Sequence, residues 1–478
     1  METSRAHAVL LSSPGMGHLV PILELGNRLA LHHKFAVTIF NVTKSGQTTP
    51  ALNSPHCHVI DLPPISVSHV APPDAAMVTI CAVTMREAKS VISSAISGMK
   101  VKPSVLVVDL FGTDCLCLAE ELGIPSKYIY IATNALFTSL VLYLPTLDKL
   151  IKGEYVDQTS DFQIPGSRPV RPDEVIDPMR DRSNQQYHEM VRVGLQMPIA
   201  DGILLNTWEE AESSRLKSMR DENLIGRFAK KPIYLVGPLT WDPAVSSSGP
   251  IFEWLDKQPA ESVIFVSFGS GGKLSYEQTT EVAWGLELSQ QRFIWVVRPP
   301  TSGSAESAYF SPVESNDNGK GKSDEPFYFL PKGFLARTRD VGQVLPGWAP
   351  QMEILKHPSV GGFLSHCGWN STLESVTNAV PMIAWPLYAE QKINSTILTE
   401  ELGVAVRPRE FPAKGVVGRE EIEVMVRKIL ADKEAFAIRD RVKKLKESGE
   451  RALSFGGTSY NALSQVAEKV LSLQESTG

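Results

Sequence analysis

Residues 348–391 read WAPQMEILKHPSVGGFLSHCGWNSTLESVTNAVPMIAWPLYAEQ, and the alternation inside this stretch decides the fold. The pattern predicts a short helix at 351–357, a strand at 360–365, a helix at 370–378, a strand at 381–386 and a further helix. The apolar runs are short and bounded by Gly and Pro, which favours buried parallel strands in a βαβ arrangement. At the centre, Ser365-His366-Cys367-Gly368-Trp369-Asn370-Ser371 turns from a strand end into a helix start. Such a turn presents backbone N–H groups and a positive helix end, as a diphosphate requires. His366, Asn370 and Ser371 add side-chain donors at the same mouth. Ser371 and Glu374 also fit an S-x-x-E capping box, which needs no ligand at all. Capping does not account for the aromatics Trp348 and Trp369, or for the acid–amide pair Glu390-Gln391 directly after a strand. Those fit a ligand with a flat base, a ribose, a diphosphate and a polyol.

The chain has 478 residues, too many for one core, and two domains are expected. An apolar fraction of 43% with 21% charged residues is that of an ordinary globular protein. The net charge of −6, without any basic run, gives no electrostatic basis for nucleic-acid capture. Nothing approaches a run of about 18 apolar residues, so no membrane span is expected. The first residues, METSRAHAVLLSSPGMGH, break their short apolar run with Gly and His, unlike a secretory signal. The five cysteines (Cys57, Cys81, Cys115, Cys117, Cys367) are odd in number and show no C-x-x-C spacing. Neither disulfides nor a zinc site is expected, and the reading is cytoplasmic. A glycan on Asn370-Ser371-Thr372 would block the proposed phosphate turn, which points the same way.

From the start, an apolar strand at 7–11 leads into Ser12-Ser13-Pro14-Gly15-Met16-Gly17-His18 and then a helix with Leu19, Ile22, Leu23, Leu29 and Ala30 on one face. Gly15-x-Gly17 hints at a dinucleotide loop, yet Val20 stands where the third glycine belongs, so a nicotinamide-dependent oxidoreductase is disfavoured. Further strands are read at 37–42, 59–62, 105–111, 128–132, 202–207 and 233–236. This alternation predicts a doubly wound parallel sheet, with ligands at the carboxyl ends of its strands. His18, the loop carrying Asp109 and Asp114, and Thr133 lie just beyond strand ends, on one rim. Pro, Ser and Gly between Pro238 and Pro250 mark an interdomain linker. A second set then opens with a strand at 263–268 and the turn Gly269-Ser270-Gly271-Gly272. The polar stretch 299–326 reads as a surface loop. Two such halves joined by one linker make a cleft, the expected ligand site.

The stretch 348–391 resembles the signature box of plant family 1 glycosyltransferases, which move a sugar from a UDP-sugar to a small acceptor. The match runs without a gap from Trp-Ala-Pro-Gln through His-Cys-Gly-Trp-Asn-Ser to Glu-Gln, with Glu390 where the family often has Asp. The rest of the chain resembles this family end to end, most of all enzymes glucosylating hydroquinone, monolignols, coumarins and related phenols. The resemblance implies a GT-B fold of two Rossmann-like α/β domains. These are an acceptor-binding domain over 1–240, a linker over 241–251 and a UDP-sugar-binding domain over 252–458. A terminal helix, about 459–478, returns to the first domain.

Sugar transfer from UDP needs a base for the acceptor hydroxyl and stabilisation of the departing diphosphate. His18 with a carboxylate from the loop after 105–111 meets the first need. The resemblance picks Asp114 as the partner, with Asp109 as the alternative. It also implies that Trp348 stacks on uracil while Ala349 and Gln351 bond its edge. Glu374 takes the ribose hydroxyls, and Ser270, His366, Asn370 and Ser371 hold the phosphates. Thr133, Trp369, Glu390 and Gln391 surround the hexose, and an amide at Gln391 goes with glucose. Phe111, Phe137 and Met85 are candidates for the acceptor pocket. No D-x-D occurs, so UDP-glucose is expected as co-substrate without a metal or cofactor. The acceptor is expected to be a small phenolic or indolic molecule, the transfer inverting, and the protein a monomer. A non-catalytic UDP-sugar-binding regulator remains the alternative, and the presence of His18 and Asp114 counts against it.

Overall fold

The computed structural model describes residues 5–47, 54–241, 248–301, 327–412 and 415–477. The expected surface loop falls, from 302 onward, outside the described residues, as does most of the linker. The chain packs as two α/β units, Met1–Trp241 with Gly449–Gly478, and Asp242–Ser448.

The first unit carries β1 (His7–Ser12), β2 (Ala36–Asn41), β3 (His58–Asp61), β4 (Val105–Asp109), β5 (Ser126–Ile131), β6 (Gly202–Leu205) and β7 (Ile233–Leu235). They form one parallel sheet in the order β3-β2-β1-β4-β5-β6-β7. Every residue of β4, β5 and β6 is buried, which is why Val105–Val108, Tyr128–Ile131 and Gly202–Leu205 do not alternate between apolar and polar residues. Helix Met16–His33 lays Leu19, Ile22, Leu23 and Leu29 on the sheet. Helix Thr458–Thr477 adds Leu463, Val466, Ala467 and Val470 to the same core. The last segment of the chain therefore completes the first unit.

The second unit carries β8 (Val263–Ser267), β9 (Arg292–Val297), β10 (Gly342–Pro346), β11 (Val360–Ser365), β12 (Met382–Ala384) and β13 (Ala405–Val406). Their order is β10-β9-β8-β11-β12-β13, again parallel throughout. Around Ile264, Val266, Leu364 and Ile383 the core closes with Trp295, Trp385 and the helix Arg419–Leu430 residues Ile422, Val426 and Ile429.

Both sheets share one topological feature. Strand order runs outward in one direction from β1 and in the other from β4, and likewise from β8 and β11. The connections leaving such a neighbouring pair diverge, which opens a crevice at the carboxyl ends of those two strands. Each unit has one such point.

Beside the first of these points, helix Ala135–Leu150 begins directly after Asn134, whose side chain accepts from Phe137 N. The Ala135 N–H instead reaches both carboxylate oxygens of Glu212, at 3.1 and 2.9 Å. Glu212 is fully buried, pairs with Arg215 at 3.0 Å, and sits at a kink in helix Glu209–Arg220. Breaking a buried pair by removing one partner typically costs about 3–5 kcal/mol. Glu212→Ala should therefore destabilise the protein by about that amount in urea unfolding. Glu209→Ala, which breaks the more exposed pair with Arg220 at 2.8 Å, should stay within about 1 kcal/mol.

Candidate active site

In the first unit the switch point lies between β1 and β4. The register pairs Leu11 with Val108, so Asp109 ends β4 level with Ser12 and Ser13, where β1 gives way to helix Met16–His33. The Asp109 carboxylate is buried and collects four donors. Oδ1 accepts from Ser13 Oγ at 2.5 Å and Gly112 N at 3.1 Å, and Oδ2 accepts from Ser13 N at 2.9 Å. The fourth donor is His18 Nδ1, 3.1 Å from Oδ2. A proton on Nδ1 directed at Asp109 leaves Nε2 with its lone pair, the form a general base needs. The Phe111 ring stands edge-on to the imidazole, 5.2 Å between centroids.

Asp114 does not meet His18. It sits at the far side of the turn Leu110–Cys115, where Arg86 (3.0 Å), Arg192 (2.5 Å) and Gln196 (2.6 Å) bind it. Burial opposes its ionisation, but the hydrogen bonds from Gln196, Arg192 and Arg86 outweigh it and hold the carboxyl below its usual range. Asp114 thus fixes the turn to helices Met77–Glu87 and Gln185–Gln196, and the partner of His18 is Asp109. Met85 is fully buried, its methyl close to Gly112 in the turn Leu110–Cys115. Thr133 follows β5 and Phe137 lies in the first turn of helix Ala135–Leu150, both buried on the same rim.

In the second unit the switch point lies between β8 and β11. Gly269-Ser270 follows β8, with Gly269 at φ +73°, and His366 follows β11. The two turns touch: a Cβ on Gly269 would stand 2.5 Å from His366 Cε1, and one on Gly368 would stand 2.5 Å from Nε2. Only glycines leave room for the imidazole. Burial, with a contribution from the Arg298 charge, depresses the His366 pKa to about 4. His366 is therefore neutral near pH 7, with hydrogen-bonding capacity and no charge. Its Nδ1 is buried without a partner among the described residues.

Helix Trp369–Thr377 starts after Gly368 with no side-chain cap. The capping-box account of Ser371 fails on this point, because Ser371 lies inside the helix. Gln351 Nε2 instead donates to Ser371 Oγ at 2.9 Å and to Glu374 Oε2 at 2.5 Å. Burial raises the Glu374 carboxyl, the Gln351 hydrogen bond lowers it, and the charge of Glu353 raises it again, to about 7 in balance. Trp348 follows β10 and is 64% exposed, a flat face open for stacking, while Ala349 beside it and Trp369 are buried. At the closing pair, Gln391 Oε1 accepts from Leu387 N at 2.9 Å and Tyr388 N at 3.0 Å. Both lone pairs of that oxygen are used, so only the amide hydrogens remain for a ligand hydroxyl. Asn394 Nδ2 ties Cys367 O (2.8 Å) to Glu390 Oε1 (3.3 Å), joining the turn after β11 to the Glu390-Gln391 pair. Among the described residues no group of three or more His, Cys, Asp or Glu side chains could hold a metal ion.

Residues 232–433 match the family model for UDP-glucuronosyl and UDP-glucosyl transferases. The chain is 52% identical to an anthocyanidin 3-O-glucosyltransferase 5 of Manihot esculenta, over 98% of this chain and 96% of the relative. The chain belongs to the plant family 1 UDP-glycosyltransferases. A hydroquinone glucosyltransferase of Rauvolfia serpentina is 41% identical, with 97% of each chain covered. The crystal structure of TcCGT1 in complex with UDP superposes with a TM-score of 0.90 at 44% identity, covering 98% of this chain and 100% of that one. The two parallel-sheet units are those of a GT-B glycosyltransferase, and the protein is an enzyme of that class.

Sequence reasoning passed over Ser13 and Asn394 in this glycosyltransferase. Ser13 carried a signal, a hydroxyl directly after the first strand beside a histidine loop. Asn394 carried none, since only the fold brings it under Cys367.

Two outcomes are expected. Asp109→Asn should lower kcat/KM by roughly 10²-fold or more, because an amide neither holds the Nδ1 proton nor stabilises the imidazolium. Asp114→Asn should lower it by less than about tenfold, with a larger effect on thermal stability. Steady-state kinetics and melting curves on both variants check the assignment. The second outcome concerns Glu374 and uses uridine, which has no phosphate to titrate. Ribose hydroxyls favour the carboxylate, so binding lowers a pKa that starts at about 7 in the empty site. Affinity should therefore rise as pH increases from about 5 to 7, by up to about tenfold per unit, and level off above that. Calorimetric titration should show this slope in the wild type and its loss in Glu374→Gln.

Proposed function

We propose that this glycosyltransferase moves glucose from UDP-glucose to a hydroxyl of a small aromatic acceptor, giving a β-glucoside with inversion. The observation that carries the reading is the His18 Nδ1–Asp109 pair at 3.1 Å, with Phe111 edge-on beside it. The acceptor O–H passes its proton to His18 Nε2 while the oxygen attacks the anomeric carbon opposite the UDP. The bond from that carbon to the diphosphate oxygen breaks, UDP leaves, and Asp109 stabilises the imidazolium that forms. One displacement inverts the anomeric centre.

On the donor side, Trp348, Ala349 and Gln351 hold the base and Glu374 the ribose. Ser270, His366, Asn370 and Ser371 hold the phosphates, and Thr133, Trp369, Glu390 and Gln391 surround the hexose. Phe111 and Phe137 face a flat acceptor ring. The relatives named for anthocyanidin and hydroquinone, both phenols, support that acceptor class and glucose as the sugar. No metal enters the reading. The enzyme is read as a cytoplasmic monomer; among the described residues no helix is long and apolar enough to cross a membrane, and no cysteine is in a disulfide.

The test pairs UDP-glucose and UDP-galactose on one phenol, with EDTA present and the product anomer read by NMR. The expected product is the β-glucoside, and His18→Ala should lose about 10²- to 10⁴-fold in turnover. UDP-glucose should lead by about ten- to a hundredfold, since an axial hydroxyl leaves Glu390 or the Gln391 amide unpaired at roughly 1–3 kcal/mol. Gln391→His should narrow that ratio. An α-product, turnover that requires a divalent ion, or a fully active His18→Ala would each overturn the mechanism.

A further inference from the structure

Arg298 stands directly beyond the carboxyl end of β9, and so far it has entered only through its charge on His366. Its three hydrogen bonds all go to backbone carbonyls. Nη1 donates to Gly269 O at 2.9 Å and Ser270 O at 2.6 Å, and Nε donates to Gly347 O at 3.2 Å. These carbonyls belong to two separate turns. One follows β8 and carries Ser270, while the other follows β10 and leads into Trp348. Because β9 is hydrogen-bonded between β8 and β10, a side chain at its end can reach both. Gly269 and Gly347 both lie in the left-handed region, at φ +73° and +72°, so each carbonyl is aimed by backbone that most residues avoid. A planar guanidinium fork can hold such carbonyls on two sides at once, which a lysine ammonium on a flexible stem cannot. All three acceptors are neutral, and the charge still reaches the neighbouring His366.

We propose that Arg298 is a positioning residue for the donor, clamping the diphosphate turn to the base-stacking turn so that one UDP meets both in register. The inference rests on the donor-site reading above. It requires that losing the fork weakens recognition of the base and of the diphosphate together, through the two turns that Arg298 joins. A brace that merely supports the fold would change melting alone.

The experiment measures UDP and uridine binding by calorimetry on the full chain, together with KM and kcat for UDP-glucose and melting curves. Arg298→Lys keeps the charge and loses the fork, and Arg298→Gln loses both. The expected result for Arg298→Lys is a rise of about ten- to a hundredfold in the UDP Kd and in KM, with kcat changed less than about threefold and uridine weakened too. UDP and uridine affinities within about twofold of wild type, well below the melting temperature, would overturn the clamp even if melting fell. Loss of UDP with uridine unchanged would also overturn it, since the fork would then act on the diphosphate turn alone. Should Arg298→Lys fail to fold, Gly347→Ala displaces the carbonyl from the other side and must raise the UDP Kd in the same way. Trp348→Ala and Ser270→Ala separate the two readings. If both bind UDP as the wild type does, the donor site itself is misassigned. If both lose UDP while Arg298→Lys keeps it, only the clamp fails.

Discussion

A parallel sheet that grows outward from its centre in both directions leaves the carboxyl ends of its two central strands uncovered by any connection. That constraint places the candidate site residues in both units of this glycosyltransferase. In the first, β1 and β4 end together, and the buried Asp109 carboxylate gathers the Ser13 backbone, the Ser13 hydroxyl, the Gly112 N–H and the His18 ring. Four donors satisfy both oxygens of this carboxylate in a buried position, where unpaired polar atoms would be costly. In the second, β8 and β11 end together, and the imidazole of His366 fills the space left by Gly269 and Gly368.

The two crevices are furnished differently, as the proposed division of tasks requires. A general base needs a lone pair and a nearby negative charge, and His18 has both. A diphosphate site needs donors and positive potential without a group that would compete as an anion. The turn after β11 meets this with an uncapped helix start and a neutral histidine. Cys367 at φ +64°, an uncommon conformation for a residue with a Cβ, turns the chain sharply enough to bring that helix start to the strand end. Asn394, bonded to the Cys367 carbonyl, holds the same turn from beneath.

Much of this was legible in the residues. The seven strands of the first sheet lie where the buried apolar runs were read, and β11 has the bounds that its Gly and Pro neighbours suggested. The helix read at 370–378 is Trp369–Thr377. Such features depend on local pattern: apolar runs of strand length, breakers at their ends, and helical spacing on one face. His18 was legible too, as a histidine in a loop just past the first strand.

What the residues left open is which side chains meet. Asp109 and Asp114 are both acids near one strand end, and no local rule separates them. The register of β1 against β4 sets Asp109 level with Ser12 and within reach of Ser13, while the turn Leu110–Cys115 carries Asp114 round to Arg86 and Arg192. Ser371 and Glu374 have capping-box spacing, yet the helix begins two residues earlier and both turn to Gln351. The Gln391 carbonyl oxygen is spent on Leu387 and Tyr388, which no spacing reveals. By itself the sequence determined the alternation of elements, the two-unit plan and the family. Only the tertiary structure decided the partners, because a strand's apolar pattern is local, whereas a hydrogen bond depends on where two distant segments end in space.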